Sequence, residues 1–266
     1  MVSSVINPVI AIAINTFRET VRDRVLYAFF VFACSITVLG ILLGSLSVGQ
    51  DIRIIEDLGL TVIAIIGGII SVFAGTNLVY KELERRTIYV IFTKPVSSWQ
   101  FITGKYLGLV MCIFVVVLAM GVFLLGLIWM VDPTHHMQLH IGSIIASLAL
   151  VFLELLFVLA LATFFSTFST PIMSVIFTLS LWFIGHLGGS LLDLSKMSSN
   201  PAAQQLLTAL YWCLPDLAQL TRVRSVLMYG KEPSQEIIIF MLAYVFAFIF
   251  FLLGLASLVN ERREFP

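Results

Sequence analysis

Glu154 is the only Asp, Glu, Lys or Arg between Asp132 and Asp193 in this 266-residue sequence. If that run crosses a bilayer, an ionised carboxylate there costs several kcal/mol unless it is paired or hydrated, so Glu154 must face protein or water. Its chemistry is either contact with a substrate or proton, or hydrogen-bonded packing inside the protein. No Lys or Arg lies within the run to pair with it, so hydroxyls or a second subunit are its expected partners. Asp132, His135, His136 and His140 form a second cluster. His136 and His140 are four apart, which on a helix places both imidazoles on one face, as a metal requires. Asp132-Pro133, however, reads as a turn, and neutral histidines at a wet boundary account for the cluster without a metal. His186 is alone in its apolar run, which argues against a haem held by two such histidines. The third cluster is charged and compact: Glu82, Glu84, Arg85 and Arg86, followed by Thr87 and then Lys94-Pro95. Alternating signs suit a surface that docks a soluble partner. No Ser stands in a Gly-x-Ser-x-Gly setting, and no Gly-x-x-x-x-Gly-Lys-Ser/Thr phosphate loop occurs, so neither hydrolase nor nucleotidase chemistry is indicated.

The elements that hold these residues follow from where charge is missing. The chain is 60% apolar and 11% charged, with mean hydropathy +1.06. Soluble domains carry charge on roughly a quarter of their residues. Lys+Arg and Asp+Glu balance at 15 each, which gives no electrostatic basis for binding nucleic acid. Cys34, Cys112 and Cys213 are odd in number and far apart, so they define neither a disulfide framework nor a zinc site. Uncharged runs separate Arg24 from Asp51, Asp57 from Lys81, Lys105 from Asp132 and Glu236 from Glu261. Each exceeds the ~20 residues of a membrane-crossing helix. The polar stretch Phe165–Pro171 divides the run that contains Glu154. The expected architecture is therefore all-α and polytopic, a single transmembrane domain over 1–266 with six spans near 26–47, 58–80, 106–130, 143–166, 172–192 and 237–259. With the N-terminus inside, ten Lys and Arg face the cytoplasm and five face out, so both termini are expected in the cytoplasm.

Three further segments have readable roles. Over 1–24, Ile6, Ile10, Ile14, Phe17 and Val21 share one helical face, with Arg18, Glu19, Arg22 and Asp23 off it. This predicts an amphipathic helix on the inner membrane surface, the alternative being an early start to the first span. The inner segment 81–105 contains the charged cluster, and Ser97-Ser98 opens the third span after Pro95. The outer segment 193–236 reads either as a helical pair that covers or gates the outer half of the bundle or as a loop resting on the headgroups. Asn200-Pro201 starts a helix bearing Ala203, Leu206, Leu207, Leu210, Tyr211 and Leu214 on one side. Pro215 ends it, Asp216 and Gln219 form a capping-box pattern, and Leu217, Leu220, Val223 and Leu227 share the next face before Gly230. Small residues at Gly67-Gly68, Gly104 and Gly108, and Gly185 with Gly188-Gly189 permit close helix approach.

The inner segment also carries a family pattern. Lys81-Glu82-Leu83-Glu84-Arg85-Arg86-Thr87-Ile88, then Thr93-Lys94-Pro95-Val96-Ser97, then Phe101-Ile102-Thr103-Gly104-Lys105 resembles the signature of ABC-transporter permeases of the type-2 exporter family. Arg86 stands where that family usually has Gly, and Ser98 where a basic residue is common. The resemblance implies a transport subunit of the cytoplasmic membrane, with no cofactor of its own. It would pair with a second permease copy or homologue and dock a separate ATP-binding subunit that holds ATP and Mg. Glu82, Glu84, Arg85, Arg86, Thr87, Lys94 and Pro95 are the docking and coupling residues so implied, beside the N-terminal helix. A carrier or channel independent of ATP is the alternative from another class. It predicts more intramembrane charge and broken helices in matched positions.

Overall fold

In hydrocarbon a backbone must satisfy its own hydrogen bonds, and a helix does so within one segment. The structure, a computed structural model, describes residues 8–44, 51–84, 97–131, 137–198, 200, 203–205, 207–208, 215–228 and 233–263. Among them lie nine helices and no strand: α1 (Pro8–Val21), α2 (Arg24–Gly44), α3 (Asp51–Glu84), α4 (Ser98–Val131), α5 (Met137–Ser166), α6 (Pro171–His186), α7 (Gly188–Met197), α8 (Ala218–Met228) and α9 (Gln235–Arg263). The all-α, multi-pass expectation holds.

Among the described residues, fewer helices are long and apolar enough to cross a membrane than the six spans the sequence suggests. Ile52–Thr76, Ser98–Val131, Ile141–Ser166 and Gln235–Glu261 are long and apolar enough to cross a membrane. A fifth is reached only if α1 and α2, bent by 60° at their junction, count as one broken unit. The expected continuous fifth span, 172–192, is instead two helices. α6 has 16 residues, about 24 Å, which falls short of a ~30 Å core. At Leu187 (φ −87°, ψ −2°) the α-helical bonding gives way to a turn, its N–H bonding to the carbonyl of Ile184 at 2.9 Å, and α7 starts at Gly188. α3 and α4, at 34 residues each, span about 51 Å and must project past the hydrocarbon. The last turns of α3 contain Glu82 and Glu84.

α5 is the central post. Leu155 through Thr163 are all buried, so this stretch is enclosed on every side rather than on one stripe. α3, α4, α6, α8 and α9 surround it. Gly67 of α3 admits Leu155, since a Cβ there would lie 2.6 Å from the leucine Cδ1. Leu217, Leu220 and Val223 are buried where α8 meets α5, so α8 dips into the bundle with the face its sequence shows. Of the helix expected after Pro201, 203–205 and 207–208 are helical, while Leu206, Leu210, Tyr211 and Leu214 lie outside the described residues.

α1 packs through a face that the sequence did not single out. On its apolar stripe Ile10 and Ile14 are 53% and 41% exposed. The residues turned to α4 are Val9, Ile12, Ala13 and Thr16. At 100° per residue this small-residue face sits roughly 110° round the helix from the Ile stripe. Arg18, Glu19 and Arg22 are exposed on a third face. The stripe legible in the sequence was the outward apolar one; the packing face was hidden because small residues carry little hydropathic signal.

Candidate functional site

The first candidate region is the base of α4. A capping box opens this helix: Ser97 Oγ accepts the Gln100 N–H at 3.4 Å, and Gln100 Oε1 accepts the Ser97 N–H at 3.2 Å. Asn260 Nδ2 donates to Ser98 Oγ at 2.9 Å, tying the end of α9 to the start of α4. About two and three turns further, α1 lies directly on Gly104 and Gly108. A Cβ on Gly108 would stand 2.4 Å from the Ala13 carbonyl oxygen, and one on Gly104 would stand 2.9 Å from Val9 O and Ile12 Cβ. Only glycine lets the two backbones come this close. Between them Lys105 is buried, its Nζ 4.4 Å above the Phe101 ring. Of the docking residues read from the sequence, Glu82 and Glu84 lie in the last turns of α3. Arg85, Arg86, Thr87, Lys94 and Pro95 lie outside the described residues.

The second candidate is Glu154. It is 2% exposed, and within this chain its contacts are to Trp182 and His186 of α6 rather than to hydroxyls. Trp182 Nε1–H donates to Oε1 at 2.9 Å, and His186 Nε2 stands 3.3 Å from the same oxygen. His186 Nδ1 is 3.1 Å from the Trp182 carbonyl oxygen, and the two rings meet edge to face at 6.0 Å. That carbonyl can only accept, so Nδ1 carries a hydrogen. Trp182 is seated by Gly68 of α3, where a Cβ would fall 2.3 Å from the indole. Above the site Gly185 accepts the Leu217 N–H at 3.1 Å, and Asp216 pairs with Arg222 at 3.2 Å beside Gly188-Gly189.

The sequence reading of His186 as a lone residue missed this pairing. The signal was available: in an antiparallel helical hairpin, residues equidistant from the turn share a height. Glu154 and Trp182 are equally far from Phe168, which lies in the α5–α6 turn. His186 is one turn beyond Trp182 on the same face. The loop histidines His135 and His136, with Asp132, lie outside the described residues, and His140 is in the first turn of α5. Among the described residues, no group of three His, Cys, Asp or Glu could hold a metal ion. Cys34 and Cys112 are free thiols; Cys213 lies outside the described residues.

Long apolar helices, two of them 34 residues long, fit a membrane component. A family model described as ABC-2 family transporter protein matches residues 10–264. The chain belongs to that family. As an ABC-2 permease it is the membrane component of an ABC transporter, and in this family a partner subunit hydrolyses the ATP. No curated protein matches the sequence. Both candidate regions of this permease fall inside the matched range.

Proposed function

We propose that this ABC-2 permease is an exporter half whose inner end receives the stroke of a separate ATP-binding subunit. The observation that carries the reading is the seating of α1 on Gly104 and Gly108, which straddle the end of the segment 81–105. Any tilt imposed on that segment is transmitted to α4 and α1 together, because their backbones are in contact. The Asn260–Ser98 bond adds α9 to the same base. Glu82, Glu84, Arg85, Arg86, Thr87, Lys94 and Pro95 supply the docking surface, and the exposed Arg18, Glu19 and Arg22 of α1 extend it.

In this reading the chain crosses the cytoplasmic membrane six times, with both termini inside. α2 and the pair α6–α7 complete the count begun by the four long helices. α1, within 1–24, lies on the inner surface with Ile10 and Ile14 against lipid. The segment 193–236 covers the outer side, and a second permease copy or homologue completes the pathway. ATP and Mg belong to the partner subunit, and outward movement of the cargo is part of the proposal.

The test is to isolate the tagged chain from native membranes in mild detergent and identify what accompanies it. A stoichiometric ATP-binding subunit is expected, and charge reversal of Glu82, Arg85 and Arg86 should remove most of it. Recovery of the chain without such a subunit, even after crosslinking, would overturn the docking proposal and favour a carrier independent of ATP.

A further inference from the structure

The hydrogen bonds around Glu154 impose a proton count. His186 faces two acceptors at once, the Trp182 carbonyl from Nδ1 at 3.1 Å and Glu154 Oε1 from Nε2 at 3.3 Å. A neutral imidazole carries one N–H. With Nδ1–H committed to the carbonyl, the Nε2···Oε1 contact is a hydrogen bond only if one further proton sits on the pair. That proton can be on Nε2, giving an imidazolium and a carboxylate, or on Oε1, giving two neutral groups. Either form has zero net charge, which a site this buried favours. If the proton leaves, the Nε2 lone pair faces a carboxylate oxygen at 3.3 Å, and Trp182 N–H is the remaining donor among these contacts.

We propose that Glu154 and His186 form a proton-binding site that holds one exchangeable proton and, while it is held, clasps α6 to α5. Glu154 is closed off, but the His186 side chain is 34% exposed. Exchange therefore runs through the imidazole, beside the helix break at Leu187 and under the α7–α8 cover. The charged groups acting on His186 are Glu154 from α5 and Arg224 from α8. α3 meets Trp182 with Gly68, and its buried Glu56 is twelve positions earlier, about 18 Å along the axis. On the α7 side, Gly188 and Gly189 face Asp216 and Arg222, which pair with each other. The sign follows from the count. With the proton bound, at lower pH, both His186 bonds are made; as pH rises and it leaves, one is lost and the end of α6 is loosened from α5. Such a site makes the packing of α6, and the outer cover attached to it at Gly185, responsive to the pH on that side.

The full-length chain with Trp99, Trp129 and Trp212 changed to Phe reports on Trp182 alone. In nanodiscs of phosphatidylethanolamine and phosphatidylglycerol, Trp182 emission is followed from about pH 5 to about pH 9, the range in which imidazoles titrate. Imidazolium and imidazole quench the adjacent indole differently, so a one-proton step is expected. The step should be absent in His186→Gln, and in Glu154→Gln it should vanish or move by about one pH unit or more. A flat wild-type profile, a step that survives His186→Gln, or an unchanged midpoint in Glu154→Gln would each overturn the proposal. Circular dichroism checks that the variants fold, and the wild-type profile decides alone if they do not.

Discussion

Glu154 shows how a carboxylate is tolerated at mid-bundle. Trp182 brings an N–H to Oε1 and keeps its ring against Gly68, while His186 approaches the same oxygen from one turn further along α6. Each contact depends on the next, so the smallest perturbation is at the glycine. Gly68→Ala should destabilise the protein by about 1–3 kcal/mol, because a Cβ 2.3 Å from the indole forces Trp182 off its seat. Gly126 is the matched control: nothing lies within 4 Å of an added Cβ. Gly126→Ala should be neutral or stabilising by up to about 1 kcal/mol, since alanine is the better helix former. Thermal unfolding of the two variants in detergent separates them; equal melting temperatures would show that Trp182 is not held as described. The sequence made Glu154 conspicuous because it stood alone among apolar residues. It did not reveal the partners, because Trp182 and His186 carry no signal of pairing until the α5–α6 hairpin sets their heights.

At the scale of elements, apolar length predicted helices well and interruptions poorly. The uncharged runs became α2, α3, α4, α5, α6 and α9. The break at Leu187 was missed because no proline or charge marks it: the run stays apolar, and Gly188-Gly189 also reads as a packing patch. The cover was half legible, since Leu217, Leu220 and Val223 show their face by spacing alone. For α1 the charged and outward apolar faces were readable, but the face that holds it was not. Ala13 and Thr16 become informative only when Gly104 and Gly108 are placed opposite them. This packing carries its own prediction. Gly108→Leu should undock α1 from α4, because no side chain fits where a Cβ already lies 2.4 Å from a backbone carbonyl. Thr16 is buried against α4. A cysteine at position 16, with Cys34, Cys112 and Cys213 removed, should resist a water-soluble maleimide in the parent and react several times faster with Gly108→Leu. Equal rates would show that the glycines do not seat the helix.

The whole molecule is a bundle built round α5 with unlike ends. One end is braced: α1 lies on α4, and α9 is bonded to the first turn of α4. The other end is assembled from short pieces, with α6 stopping at His186, α7 leaving from Gly188, and α8 inserted against α5. A braced end suits receipt of a push, and a jointed end suits opening, because packed elements change by switching between discrete arrangements. The shared proton at Glu154 and His186 lies where the jointed end begins. The central claim, that ATP turnover on a partner subunit moves the base of α4, can be measured on a single position. Trp99 lies in the first turn of α4 and is 44% exposed. A polarity-sensitive fluorophore at Trp99→Cys, in the cysteine-free chain reconstituted with its ATP-binding subunit, reports on that base directly. The account predicts that its emission shifts on ATP binding, returns after hydrolysis, and stays constant when the subunit is omitted. Identical emission in every nucleotide state, while the partner turns over ATP, would contradict it.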